Sequence, residues 1–132
     1  MICAVHAIVG AAVGRLAKRR DLAFAAGVAT HLLGDLTPHK DLDPKTEAIL
    51  LAGTMGVIAA KYGVTSPEFI GAFGGMAPDF ENAAYVTGLL PVEKMKFPTH
   101  IHGGKYHGTA IPTVLPQVAI VALCLAFLFK KQ

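Results

Sequence analysis

The chain has no tryptophan, only two cysteines and few charges: Asp, Glu, Lys and Arg make up 16% of its 132 residues, against roughly 25% in ordinary soluble domains. Cys3 and Cys124 sit in apolar runs near opposite ends of the sequence. Two isolated cysteines form neither a disulfide framework nor a CxxC metal motif, so they read as packing residues. No stretch interleaves basic and aromatic side chains, and the formal net charge is only +3, which excludes nucleic acid as a partner. No internal repeat or low-complexity tract stands out, and the length fits a single domain, residues 1–132.

What is present is largely apolar. Hydrophobic residues make up 53% of the chain and the mean hydropathy is +0.50, a profile that fits a small polytopic membrane protein and also a very apolar helical bundle. Five apolar segments divide the sequence: 2–17, 22–37, 47–61, 67–90 and 110–129. The first carries Gly10 and Gly14, a GxxxG spacing suited to close helix contact. Its basic cluster, Arg15, Lys18, Arg19 and Arg20, follows the apolar run instead of preceding it, so the segment is expected to be a retained helix and not a cleaved signal. Ser66-Pro67 marks the start of the fourth segment, with serine as N-cap and proline in the first position. Pro78 is expected to kink or break that helix. From Ile111 to Phe129 there is no charge, enough chain to span ~30 Å of hydrocarbon at ~1.5 Å per residue. The expected fold is therefore all-α: a small polytopic membrane bundle of about five apolar helices with a His-rich loop before the last.

That loop, Pro98 to Thr109, reads PTHIHGGKYHGT and holds His100, His102 and His107 without an acid. Neutral imidazole is the commonest protein metal ligand. Elsewhere, ionisable groups interrupt apolar segments in few places. His6 is the polar side chain of the first segment's opening turns. His31 and Asp35 stand four apart, on one face of the second helix. An aspartate inside a membrane segment costs roughly 2.5–3.5 kcal/mol at the bilayer centre and normally faces a partner in the bundle interior. Asp79 and Glu81 follow Pro78. The acids of the connection 39–46, Asp41 and Asp43, lie beside lysines and read first as solvated.

Threaded as five crossings, the chain puts His6, Asp35, Asp79, Glu81 and the histidine loop at one membrane face. The other face collects seven basic residues against five, which turns the histidine face outward from an inner (cytoplasmic) membrane. His and Asp groups from three helices and a loop are what a divalent metal centre requires, zinc first, with manganese or iron also matching mixed N/O donors. His6, His31, Asp35, Asp79, His102 and His107 are the expected ligands. Asp79 or Glu81 is the expected catalytic base toward a water made acidic by the metal.

The stretches His31-Leu-Leu-Gly-Asp35-Leu-Thr-Pro and Gly-Gly-Met-Ala-Pro78-Asp79, with the His102-to-His107 spacing, resemble the YdjM-like family of inner-membrane proteins. That family is described as membrane-bound metal-dependent hydrolases, contains a domain of unknown function and is distantly likened to zinc-dependent phospholipase C. By the resemblance, His6 matches its first-helix histidine and Asp79 its Pro-Asp. His102 and His107 match its HRGxTHS, and His31 with Asp35 match its HxxxD before Thr-Pro. The order of motifs is rearranged, since HxxxD here precedes the histidine pair. Residues and resemblance together lead to an expected integral-membrane metal-dependent hydrolase, acting on a lipid or phosphoester substrate at the bilayer face. The alternatives are a non-enzymatic metal-binding protein and a small structural membrane protein whose His–Asp pairs only fix helix packing.

Overall fold

Proline, capping side chains and one left-handed residue set the helix boundaries. In the computed structural model, which describes residues 1–101 and 106–130, the chain is all-helical. The helices are α1 (Cys3–Ala17), α2 (Arg20–Leu36), α3 (Pro44–Tyr62), α4 (Pro67–Val86) and α5 (Leu115–Phe129), with a 3₁₀ turn at Val92–Lys94. Lys18, with φ of 59°, closes α1 by donating its amide to the Gly14 carbonyl. Asp43 caps α3 by accepting from the Thr46 amide at 3.1 Å. Ser66 caps α4 by accepting from Phe69 at 3.0 Å, with Pro67 in the first position as the sequence implied.

The core is α1, which packs against all four other helices. Its contacts with α2 and α4 are made through glycine. A Cβ on Gly10 or Gly27 would run into the Gly71 carbonyl, and one on Gly71 into the Gly10 carbonyl. A Cβ on Gly75 would meet the His6 carbonyl, and one on Gly74 the Phe24 carbonyl. Backbones therefore touch directly, in the manner of small-residue helix crossings. The histidine-bearing ends of α1 and α2 are thereby held within a few ångströms of α4.

Three expectations are revised. First, of the kink or break expected at Pro78, the break does not occur: α4 runs continuously through it. Pro78 has no amide to give the Gly74 carbonyl, and the adjacent Gly75 carbonyl takes a side-chain partner, His31. Second, the last apolar run is helical only from Leu115. Its leading residues are extended instead, because Ala110 bridges to His39 in parallel register and Ile111 donates to the His39 carbonyl at 3.0 Å. Third, no helix among the described residues is long and apolar enough to cross a membrane. The 15 residues of α5 reach about 22 Å, while α3 and α4 have the length but carry three charged side chains each.

The end of the bundle remote from the histidines is held by Arg15. Its guanidinium donates to the carbonyls of Leu128 (2.6 Å), Phe127 (3.0 Å) and Lys130 (3.3 Å), closing the C-terminus of α5. The Tyr62 hydroxyl donates to the Leu128 carbonyl as well.

Candidate metal centre

Asp35, 1% exposed, is the centre of the histidine cluster. Around its Oδ1 lie His6 Nε2 at 3.0 Å and the Met1 nitrogen at 3.0 Å. Around its Oδ2 lie His31 Nε2 at 3.1 Å, His100 Nε2 at 3.3 Å and His107 Nδ1 at 3.7 Å. The Thr99 hydroxyl donates to Oδ2 at 2.8 Å. Asp79 Oδ1 stands 3.9 Å from His31 Nε2 and 4.0 Å from His100 Nε2. Burial pushes the Asp35 carboxyl up, but the imidazoles of His100, His31 and His6 outweigh it and hold the group well below the usual carboxylate range. Burial drives His6 down to about 4, so its ring is neutral near pH 7.

Local structure accounts for each position. His31 and Asp35 share a face of α2 by their four-residue spacing. His6 enters from the first turn of α1, its ring stacked on His31 with centroids 3.8 Å apart. The two loop histidines are placed by different devices. Glu81 accepts from the amides of Lys96 (2.6 Å) and Phe97 (2.8 Å), pinning the turn whose next residues are Thr99 and His100. His107 is carried by a short ladder onto the end of α2: Gly108 donates to the Asp35 carbonyl, His39 to Thr109 (3.2 Å) and Ile111 to His39. A Cβ on Gly108 would strike the Thr37 carbonyl, so the ladder closes only with glycine there.

The fit to a metal rests on buried ring and carboxylate atoms left without partners. A carbonyl oxygen only accepts, so His31 Nδ1, 2.6 Å from the Gly75 carbonyl, carries a proton and turns Nε2 toward Asp35 Oδ2, 3.1 Å away. That Nε2 is buried and makes no hydrogen bond, and Asp79 Oδ2 is likewise buried without a partner. Buried polar atoms without partners are costly, and a cation held between them and Asp35 would satisfy them. Backbone-anchored imidazoles with Nε2 turned inward are the usual arrangement of metal-ligating histidines. Two donor sets, His31–Asp35–His100 and His6–His31–Asp79, each bring their ligating atoms within 4.8 Å of one another. The buried His and Asp groups therefore have the geometry to hold a metal ion.

The structure brings His6, His31, Asp35, Asp79 and His107 together, whereas His102 lies outside the described residues. Glu81 does not reach the cluster through a hydrogen bond; both its oxygens are engaged by loop amides, which makes it a positioning residue. Sequence reasoning did not single out His39 or Thr99, named His100 in the histidine loop without placing it among the ligands, and read Asp41 first as solvated. His39 is 1% exposed and follows Asp35 by four positions, the same interval as His31 to Asp35. That repeated spacing was the available signal.

Beside the cluster lies a cleft of about 370 Å³. Asp41, Asp79, His100 and His107 line it together with Glu47, Asn82 and Thr87, and Leu42, Leu51, Met76, Phe80, Ala83 and Val86 supply its apolar lining. A larger groove of about 430 Å³, between α3 and α5, is apolar and has no histidine in its lining. Comparison with protein-family models, curated proteins and solved structures finds no match for the chain.

Proposed function

We propose that the protein is a membrane-attached, metal-dependent hydrolase of an amphiphilic ester, with lipid-like phosphoesters the first substrate class. The observation that carries this reading is His31 Nε2, buried without a hydrogen bond, anchored through Nδ1 by the Gly75 carbonyl and turned to Asp35 beside a cleft lined by both polar and apolar side chains. His31, Asp35 and His100 would hold the ion, zinc first for a mixed N/O set. When bound, the ion supplies Lewis acidity toward a phosphoryl or carbonyl oxygen and makes nearby water more acidic. The chain supplies the rest. His6 and Thr99 orient Asp35, and the apolar wall of α3 and α4 receives the substrate's tail. Asp79, whose Oδ2 is free of hydrogen bonds, takes the proton from the attacking water.

Membrane attachment is supported by the large apolar side chains left exposed on α3 and α5, among them Leu115 and Leu123 at 70% and 73% exposure. Arg15, Lys61 and Lys130 gather at the bundle end away from the histidines, which favours an inner membrane with the site on its outer face. The resemblance to the YdjM-like family points the same way.

The test is hydrolysis of a phosphodiester such as bis-p-nitrophenyl phosphate, and of phospholipid in mixed micelles, by untagged protein loaded with zinc. Activity that falls at least about 100-fold in Asp79→Asn with zinc still bound supports the reading. Full metal loading without turnover of either substrate would refute the hydrolase and leave a metal-binding protein.

A further inference from the structure

A second constellation adjoins the first, sharing Asp35 with it and adding His39, His107 and Asp41, to which the reading above gives no role. His39 Nδ1 lies 2.7 Å from the Thr37 carbonyl, which fixes its proton there and leaves Nε2 as the lone pair, the same device that fixes His31. That Nε2 is 2.8 Å from His107 Nε2 and 3.3 Å from Asp41 Oδ1. His107 Nε2 is 3.7 Å from Asp41 Oδ2, and its Nδ1 is 3.7 Å from Asp35 Oδ2. The ligating atoms of Asp35, His39 and His107 all lie within 4.8 Å of one another. The Met1 nitrogen, 2.6 Å from His39 Nε2 and 3.1 Å from Asp41 Oδ1, addresses the same lone pair as His107. One imidazole lone pair cannot serve two donors well at these distances.

Asp35, Asp41 and Asp79 meet in one cluster of imidazoles, where the Met1 amine pairs with Asp35 and Asp41 and, among the described residues, no lysine or arginine makes an ion pair with any of the three. Asp35 belongs to both donor sets, and a shared carboxylate is how paired ions are held ~3.5–4 Å apart in hydrolytic centres.

We infer that the protein binds two divalent ions, the second held by His39, His107 and Asp41, with the Asp35 carboxylate bridging the pair. This rests on the first metal position proposed above and adds a second, which faces the same cleft through Asp41 and His107. A two-ion centre suits phosphoester chemistry, in which one oxygen enters while another leaves.

Metal-stripped protein is titrated with Co²⁺ and then Zn²⁺, following stoichiometry by calorimetry and the cobalt d–d bands by absorption. The expected result is two equivalents for the unaltered chain, one for His39→Ala and for the gentler His39→Gln, and one for His31→Ala, with Co²⁺ paramagnetically coupled only in the two-ion form. Circular dichroism confirms that each variant is folded. One equivalent in the unaltered chain, unchanged by His39→Gln, would overturn the second site while leaving the first, and would assign the His39 contacts to the Met1 amine. No binding in any sample would overturn both.

Discussion

The two halves of this molecule are built on opposite rules. Where α1, α2 and α4 meet, side chains have been removed until backbones touch, and the space at one end is filled with imidazoles and carboxylates. Where α3 and α5 flank α1, ordinary aliphatic packing involving Ile58, Leu128 and Val121 does the work, and much of the apolar surface stays uncovered. The first half has little tolerance for added volume but can hold polar groups at fixed separations. The second half tolerates change and leaves large apolar side chains exposed. Placing the chemistry in the glycine-packed half follows from this, because a metal centre needs ligands fixed to within about half an ångström.

The comparison is broken most severely at its pivot. Asp35→Asn keeps the shape but removes the charge toward which four histidines turn, and it should abolish metal binding, lowering affinity at least about 100-fold; calorimetric titration with Zn²⁺ reads this directly. Next in size is Gly71→Val, which forces side-chain volume between the α1, α2 and α4 backbones. A loss of about 3 kcal/mol in detergent-solubilised thermal or denaturant unfolding is expected, whereas Gly53→Ala on α3, where a Cβ meets nothing within 4 Å, should be neutral or slightly stabilising. Glu81→Gln sharpens the contrast between ligands and supports. It weakens the hold on the turn that carries His100, so metal affinity should fall about 10-fold with little change in stoichiometry. The smallest stability effect belongs to the flank. Leu123→Ser with Leu115→Ser should change stability by under about 0.5 kcal/mol yet reduce co-sedimentation with phospholipid vesicles; undiminished vesicle binding would detach the exposed face from the membrane proposal.

Much of the fold was legible because its signals are local. Ser66-Pro67 set the start of α4, and the run from Glu47 to Lys61 without an ionisable group marked α3. The i,i+4 pair His31 and Asp35 announced a shared helical face. The convergence of His6, Asp35, Asp79 and the histidine loop was expected from threading the chain as five membrane crossings; no described helix is long and apolar enough to cross, yet the structure brings the described members together. What escaped depended on contacts between distant parts of the chain. His39 opens the charged connection and drew no reading from the sequence, yet pairing with residues 109–111 buries it. The same pairing consumes the start of the last apolar run, so a segment long enough to span by composition gives a helix that is not. His100 was passed over because the family-like spacing pointed to His102 and His107, and only the Glu81-anchored turn aims it at Asp35. Glu81 itself looked like a base by position after Pro78, but its hydrogen bonds give it a different task.

The central claim is that Asp35 and the histidines around it exist to hold metal, and the most direct measurement is the metal content of untagged protein purified in detergent. Elemental mass spectrometry of the unaltered chain beside His31→Ala/His100→Ala should find at least one equivalent of zinc, manganese or iron per chain in the first, and none in the second. No stoichiometric metal in the unaltered chain, even after reconstitution with Zn²⁺, would contradict the account and leave the cluster as a packing network.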